Sequence, residues 1–235
     1  MTLDEAMAAL AAKGNPTIKN ILKTHGATEP SFGVRIGDMK PLVKQLKGNQ
    51  EVALQLYATG NSDAMYLAGL IADGRKMTRK QLDQWANQAP WHMIAGCSVP
   101  WVTSEHPEAV EIALKWIDSP KELIATAGWA TLASVVMTRA DDQLPITELA
   151  ALLDRVVETL KTSANRVRYA MNNFVICCGT YVAPLADKAI VTARKLGKVE
   201  VEMGTTDCKV PDAESCILKS RRGAPVAPKR KTAKC

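Results

Sequence analysis

The chain has 235 residues, 47% hydrophobic, 5% aromatic and 23% charged, with a formal net charge of +6. A chain of this length removes roughly 70–75% of its unfolded surface from water, so it needs no disulfide or metal staples, and its Ala- and Leu-rich, aromatic-poor composition argues against a sheet-rich fold. Seven of the 30 Lys and Arg residues lie from Lys219 onward with no acid among them, leaving 23 basic against 24 acidic residues before that point.

The predicted elements are almost all helical. Leu3–Ala12 is amphipathic, Pro16 opens a helix to about His25, and Glu29–Gly33 reads as a loop. Met39, Leu42, Val43 and Leu46 follow the i, i+3, i+4, i+7 spacing and end at Gly48. Val52–Tyr57 and Asp63–Ala72 are short helices, stopped at Gly60-Asn61 and Gly74. Thr78 caps Arg79–Gln88, with Gln81 completing a capping box. Trp91–Val102 is an irregular helical stretch interrupted by Pro100. Prolines 107 and 120 take first-turn positions of helices to Ile117 and Met137. Ile146–Leu160, Asn165–Cys178 and Pro184–Leu196 complete a set of roughly eleven helices, with pairs recurring about every 30–45 residues, the spacing of HEAT-type repeats. Self-similarity between the pairs is weak, so pattern alone leaves a compact non-repeat bundle open beside an α-solenoid with a concave face.

One segment departs from this period. Lys198-Val-Glu-Val-Glu-Met203 alternates as a strand does, Gly204–Asp207 reads as a turn, and Cys208–Val210 could return; the expectation is an inserted β-hairpin over about 198–211. The expected organisation is one domain over 1–218 and a basic, flexible tail over 219–235. The six cysteines form no C-x-x-C pair, and Cys177-Cys178 sits in an apolar run, which indicates reduced, packed thiols. With only His25, His92 and His106 available, no metal site is expected. No apolar run reaches the roughly 18 residues of a membrane span, and the acidic opening lacks the basic stretch of a signal peptide. A cytoplasmic protein with no membrane partner is expected.

Tyr57-Ala-Thr-Gly60, Leu67-Ala-Gly-Leu-Ile-Ala-Asp73, Met77-Thr-Arg-Lys-Gln-Leu-Asp-Gln-Trp85, Pro90-Trp91 and Leu114-Lys-Trp116 resemble the DNA alkylation repair (AlkD-like) family of HEAT-like-repeat proteins. The resemblance runs from about Ser31 onward. It implies an all-α, HEAT-like-repeat solenoid that binds DNA on its concave face. Catalytic members excise positively charged alkylpurines with an aspartate four residues after a helix-opening Trp, and an arginine on a later long helix. Trp91 matches that aromatic, but the aspartate position is Ala95 and the arginine position Thr126. A missing carboxylate removes stabilisation of oxocarbenium character, which costs orders of magnitude in rate. No catalytic residue is therefore assigned, and an alkylpurine glycosylase is the alternative, with a protein-binding solenoid scaffold as a third class. Asn165-Arg-Val-Arg-Tyr-Ala-Met-Asn-Asn-Phe-Val-Ile176, Gly179-Thr-Tyr-Val182, Gly197–Gly204 and Cys208-Lys-Val-Pro211 resemble the non-catalytic AlkF/AlkG branch, which implies binding of branched DNA without base excision.

The DNA-contacting candidates are Trp91, for stacking or lining a groove, and the phosphate-binding cations Arg166, Arg168, Lys198, Lys209, Lys229, Arg230 and Lys231. Arg166 and Arg168 stand at a helix start, where backbone N–H groups also attract anions. Trp85, Trp116 and Trp129 are expected in the core. Asn172 and Asn173, mid-helix where Asn has poor propensity, are expected to hydrogen-bond a neighbouring helix, with a DNA sugar or phosphate as the alternative partner. No cofactor is implied, the partner is DNA, junctions included, and the expected state is a monomer.

Overall fold

The structure, a computed structural model, describes residues 1–234. It divides into two compact units.

The first unit comprises Met1–Pro107 together with Met203–Asp207 and Lys234. It contains α1 (Leu3–Ala12), α2 (Pro16–Thr24), α3 (Ile36–Leu46), α4 (Gln50–Ala58), α5 (Ser62–Ile71), α6 (Arg79–Gln88) and α7 (Val99–Glu105). Of its helix starts, that of α6 carries the capping box the sequence announced, and those of α1, α2, α4 and α5 are capped by side chains that the structure reveals. Thr2 and Thr78 form full capping boxes with Glu5 and Gln81, and Asn15, Asn49 and Asn61 accept N–H bonds from their first turns. These side chains satisfy donors that have no partner inside the helix. Between α6 and α7 the backbone widens into a π-helical turn, Ile94–Ser98, running into Pro100. Gly69 allows α5 to meet this turn, because a Cβ there would stand 2.6 Å from that of Ser98. Tyr57 stacks on Trp85 at 3.8 Å between ring centroids and donates its hydroxyl to the Trp85 carbonyl at 2.7 Å.

The second unit comprises Glu108–Glu202 and Cys208–Ala233. Its helices are α8 (Ala109–Ile117), α9 (Glu122–Thr138), α10 (Ile146–Thr159), α11 (Asn165–Tyr181), α12 (Ala186–Leu196) and α13 (Ala213–Arg221). α9 and α11 form its centre and run in the same sense. Glu122 at the start of α9 accepts the Arg166 N–H of α11 at 2.7 Å, and Trp129 meets Phe174 midway at 5.3 Å. Side-by-side parallel packing of helices separated by one intervening helix is what stacked helix pairs produce. Trp129 and Phe174 have no exposed surface, and Leu132, Val135, Leu153, Val156 and Ile217 close around them.

The expected β-hairpin over 198–211 is not formed: among the described residues there is no strand. The alternation reflects burial and not a strand: Val199 is buried, Val201 and Val210 pack on the core of the second unit, and Glu200 and Glu202 are exposed. The backbone partners are what differ. Asn165 accepts the Glu202 N–H at 2.7 Å and donates to the Glu202 carbonyl at 2.8 Å, and Asn172 donates to the Pro211 carbonyl at 2.9 Å. Side chains of α11 occupy main-chain groups that a cross-strand ladder would need, so the segment lies as an extended loop.

Among the described residues no single helix is long and apolar enough to cross a membrane.

Candidate nucleic-acid interface

The sequence-derived candidates fall into three places. Trp91, just before the π-helical turn of the first unit, is 5% exposed, with its ring edge-on to His92 at 5.2 Å between centroids. Its indole N–H is buried without a hydrogen-bond partner. It lines a small cavity of about 30 Å³ with Val34, Met39, Asp63, Tyr66 and Met93. That volume holds about one water molecule, not a base.

Arg166, Arg168, Lys198 and Lys209 belong to the region where α11 begins and the 198–211 loop passes. Lys198 and Lys209 are exposed and Arg166 is half-buried. Arg168 is turned back on its own helix start, donating to the Ser163 carbonyl at 3.2 Å and to the Asn165 side chain at 3.1 Å. Glu200 and Glu202 are exposed beside them, so this end is of mixed charge.

Lys229, Arg230 and Lys231 lie at the other end of α11, about 22 Å away at 1.5 Å per residue. The Ala227 N–H donates to the Thr180 carbonyl at 2.7 Å, and the Arg230 N–H to the Met137 carbonyl at 2.9 Å. Lys229 is engaged inward, 2.7 Å from the Asp141 carboxylate and 2.8 Å from the Val136 carbonyl. Arg230, its guanidinium 3.6 Å from the Met137 sulfur, and Lys231 are exposed. The structure thus gathers the tail cations at one end of the α9–α11 pair and keeps them apart from the Arg166 group.

Several contacts of basic side chains had no sequence signal. Arg221 donates to the Gly179 and Ala186 carbonyls, and Lys234 pairs with Glu105 at 2.9 Å and donates to the Ala72 carbonyl. Neither spacing nor periodicity announces a basic side chain aimed at a helix end. Beneath the tail, burial pushes the Cys177 thiol up to about 12 and Cys178 well above its ordinary value, so neither is a nucleophile at neutral pH. Among the described residues no group of three His, Cys, Asp or Glu side chains is placed to hold a metal ion.

The sequence pattern of the DNA alkylation repair enzyme family matches residues 6–200. The chain belongs to this family. Similar proteins include the uncharacterized proteins Lin0241 of Listeria innocua serovar 6a, 37% identical, and Lmo0209 of Listeria monocytogenes serovar 1/2a, 36% identical. Each alignment covers 94% of this chain and 98% of the relative. A solved structure superposes with a TM-score of 0.90 at 36% identity, covering 100% of both chains. It is described as representing a new family of proteins related to the HEAT-like repeat DNA glycosylases with affinity for branched DNA structures.

In this family member the positions the resemblance assigns to a catalytic Asp and Arg are not merely uncharged. Ala95 lies inside the π-helical turn with no exposed surface, and Thr126, on α9, is 5% exposed. The carboxylate sharing the Trp91 cavity is Asp63, which is 3% exposed. Its two oxygens accept the N–H groups of Phe32, Gly33 and Val34 at 2.6, 3.1 and 2.8 Å. Asp63 therefore ties down the 31–34 loop, with both oxygens turned to backbone.

Proposed function

We propose that this protein binds DNA, prefers branched or distorted DNA over plain duplex, and does not excise bases. The observation that carries the reading is the full-length correspondence to a structure whose family is described by its affinity for branched DNA. The buried, uncharged Ala95 and Thr126 support the non-excising part, since glycosidic cleavage needs a charge placed where oxocarbenium character develops. The exposed cations Lys198, Lys209, Arg230 and Lys231 supply phosphate contacts.

A base-excising alternative would have to use Asp63, beside Trp91. Its engagement with three backbone N–H groups argues against it. The test is a salt titration of binding to a four-way junction and to a duplex of equal length, with release of 7-methylguanine and 3-methyladenine followed on alkylated DNA. Tighter junction binding without base release is expected. Base release that disappears in Asp63→Asn would overturn the non-excising part, and equal affinity for both DNAs would overturn the preference.

A further inference from the structure

The basic tail would be a solvated arm if its charges met only water. Instead, four of its residues bond the last carbonyls of two helices. Gly179 and Thr180 end α11 and accept from Arg221 and the Ala227 N–H. Val136 and Met137 end α9 and accept from Lys229 and the Arg230 N–H. Terminal carbonyls have no partner within their own helix, and together they carry the negative end of the helix dipole. Left uncovered, these two parallel ends would repel a phosphate. Capped by Arg221 and Lys229, their field is offset. Arg222, Arg230 and Lys231 remain on the outside, exposed, in a segment that contains no acid from Lys219 to Lys234.

We propose that the C-terminal segment is a docked strap: Arg221 and Lys229 fasten it to the ends of α9 and α11, and so hold Arg222, Arg230 and Lys231 as a preformed phosphate-binding surface. The proposal rests on the DNA-binding reading above and assigns the tail's cations two different roles. Inward ones neutralise helix ends and fix the register; outward ones meet the nucleic acid backbone. A strap already in place loses less conformational freedom on binding than a flexible arm that must be ordered by DNA. Asp141 is the anchor, because one oxygen pairs with Lys229 at 2.7 Å while the other accepts the Ala183 N–H at 2.9 Å.

Asp141→Asn separates this picture from a simple charged arm. It keeps an oxygen for the Ala183 N–H, removes one negative charge and weakens the hold on Lys229. For an arm acting by charge alone, losing an acid tightens DNA binding. For a docked strap, it loosens the surface and weakens binding severalfold. The full chain would be compared with Asp141→Asn, Lys229→Met and Lys231→Met in hydrogen exchange at the Ala227 and Arg230 amides, and in affinity for a four-way junction. Expected are protected amides in the wild type, faster exchange with severalfold weaker binding in Asp141→Asn and Lys229→Met, and weaker binding without faster exchange in Lys231→Met. Unprotected Ala227 and Arg230 amides in the wild type, or tighter binding by Asp141→Asn, would overturn the strap while leaving the DNA-binding reading intact. Protected amides in a wild type that binds neither junction nor duplex would sink the DNA-binding reading, and the phosphate surface with it.

Discussion

Asp63 shows how far one side chain's environment changes its meaning. A carboxylate in the same cavity as a tryptophan invites a catalytic reading, yet three backbone N–H groups from 32–34 converge on it. Removing the charge leaves those buried donors weakly partnered. Asp63→Ala is accordingly expected to lower stability by about 3 kcal/mol or more, measured by urea unfolding, with no catalytic signature of its own. The cysteines give a second test at this scale. Cys177 and Cys178 are buried thiols held in the protonated form, whereas Cys208 is exposed. Cys208 should react with a thiol reagent at neutral pH, and Cys177 and Cys178 only after denaturant is added. Their burial was legible, since an adjacent Cys pair in an apolar helical run has few other uses. The inward turn of Arg168 and Lys229 was not, because a lysine or arginine looks the same in sequence whether its head meets solvent or a carbonyl.

At the scale of elements, α8 and α9 meet at Gly128, where a Cβ would lie 2.7 Å from the Ile117 backbone nitrogen and 2.9 Å from the Ala113 carbonyl oxygen. Both are main-chain atoms, so the helices must separate to admit a methyl. Gly128→Ala should cost about 1–3 kcal/mol despite its better helix propensity, read as a lower melting temperature. Helix α13 begins at Asp212, whose carboxylate is held below the usual aspartate range by the Ser215 side chain and by the Ser215 N–H, which it accepts at 2.9 Å. A depressed folded value gives stability that is present above the ordinary aspartate pKa and lost as pH falls through the lower folded one. Any advantage of the wild type over Asp212→Asn should therefore be present near neutral pH and vanish in acid below that range. A gap that widens on acidification would contradict this. The same scale holds the misread segment: alternation over 198–203 reports which side chains are buried, and the ladder it suggested was displaced by Asn165 and Asn172.

For the whole molecule, charge is the property that separates the competing functions. Three of the eight candidate residues, Trp91, Arg168 and Lys229, are occupied internally. If Lys198, Lys209, Arg230 and Lys231 carry the phosphate contacts, log affinity against log salt should slope about −3.6, from roughly −0.9 per contact. A slope near zero at measurable affinity would point to a protein-like mode of binding. Each unit has its own buried residues, and Trp85, Trp101, Trp116 and Trp129 all belong to these interiors. None of the five tryptophans is left as an exposed stacking platform, so the proposed DNA binding would rest on the exposed cations.

The sequence by itself determined the all-helical architecture, because 3.6-residue periodicity and caps such as Thr78 are local, although Pro107 and Pro120 stand just before the helices they were expected to open, which start at Ala109 and Glu122. The aromatic spacing marked the family, and Ala95 and Thr126 stood out as uncharged where the resemblance calls for a carboxylate and an arginine. Tertiary structure decided what depends on meeting a distant partner. It placed side chains of α11 against the backbone of 198–211, closed Asp63 over a loop some thirty residues away, and drew the tail onto the ends of α9 and α11. Helix ends and buried backbone groups take whichever donor the fold delivers, and no pattern within one segment records which donor that will be.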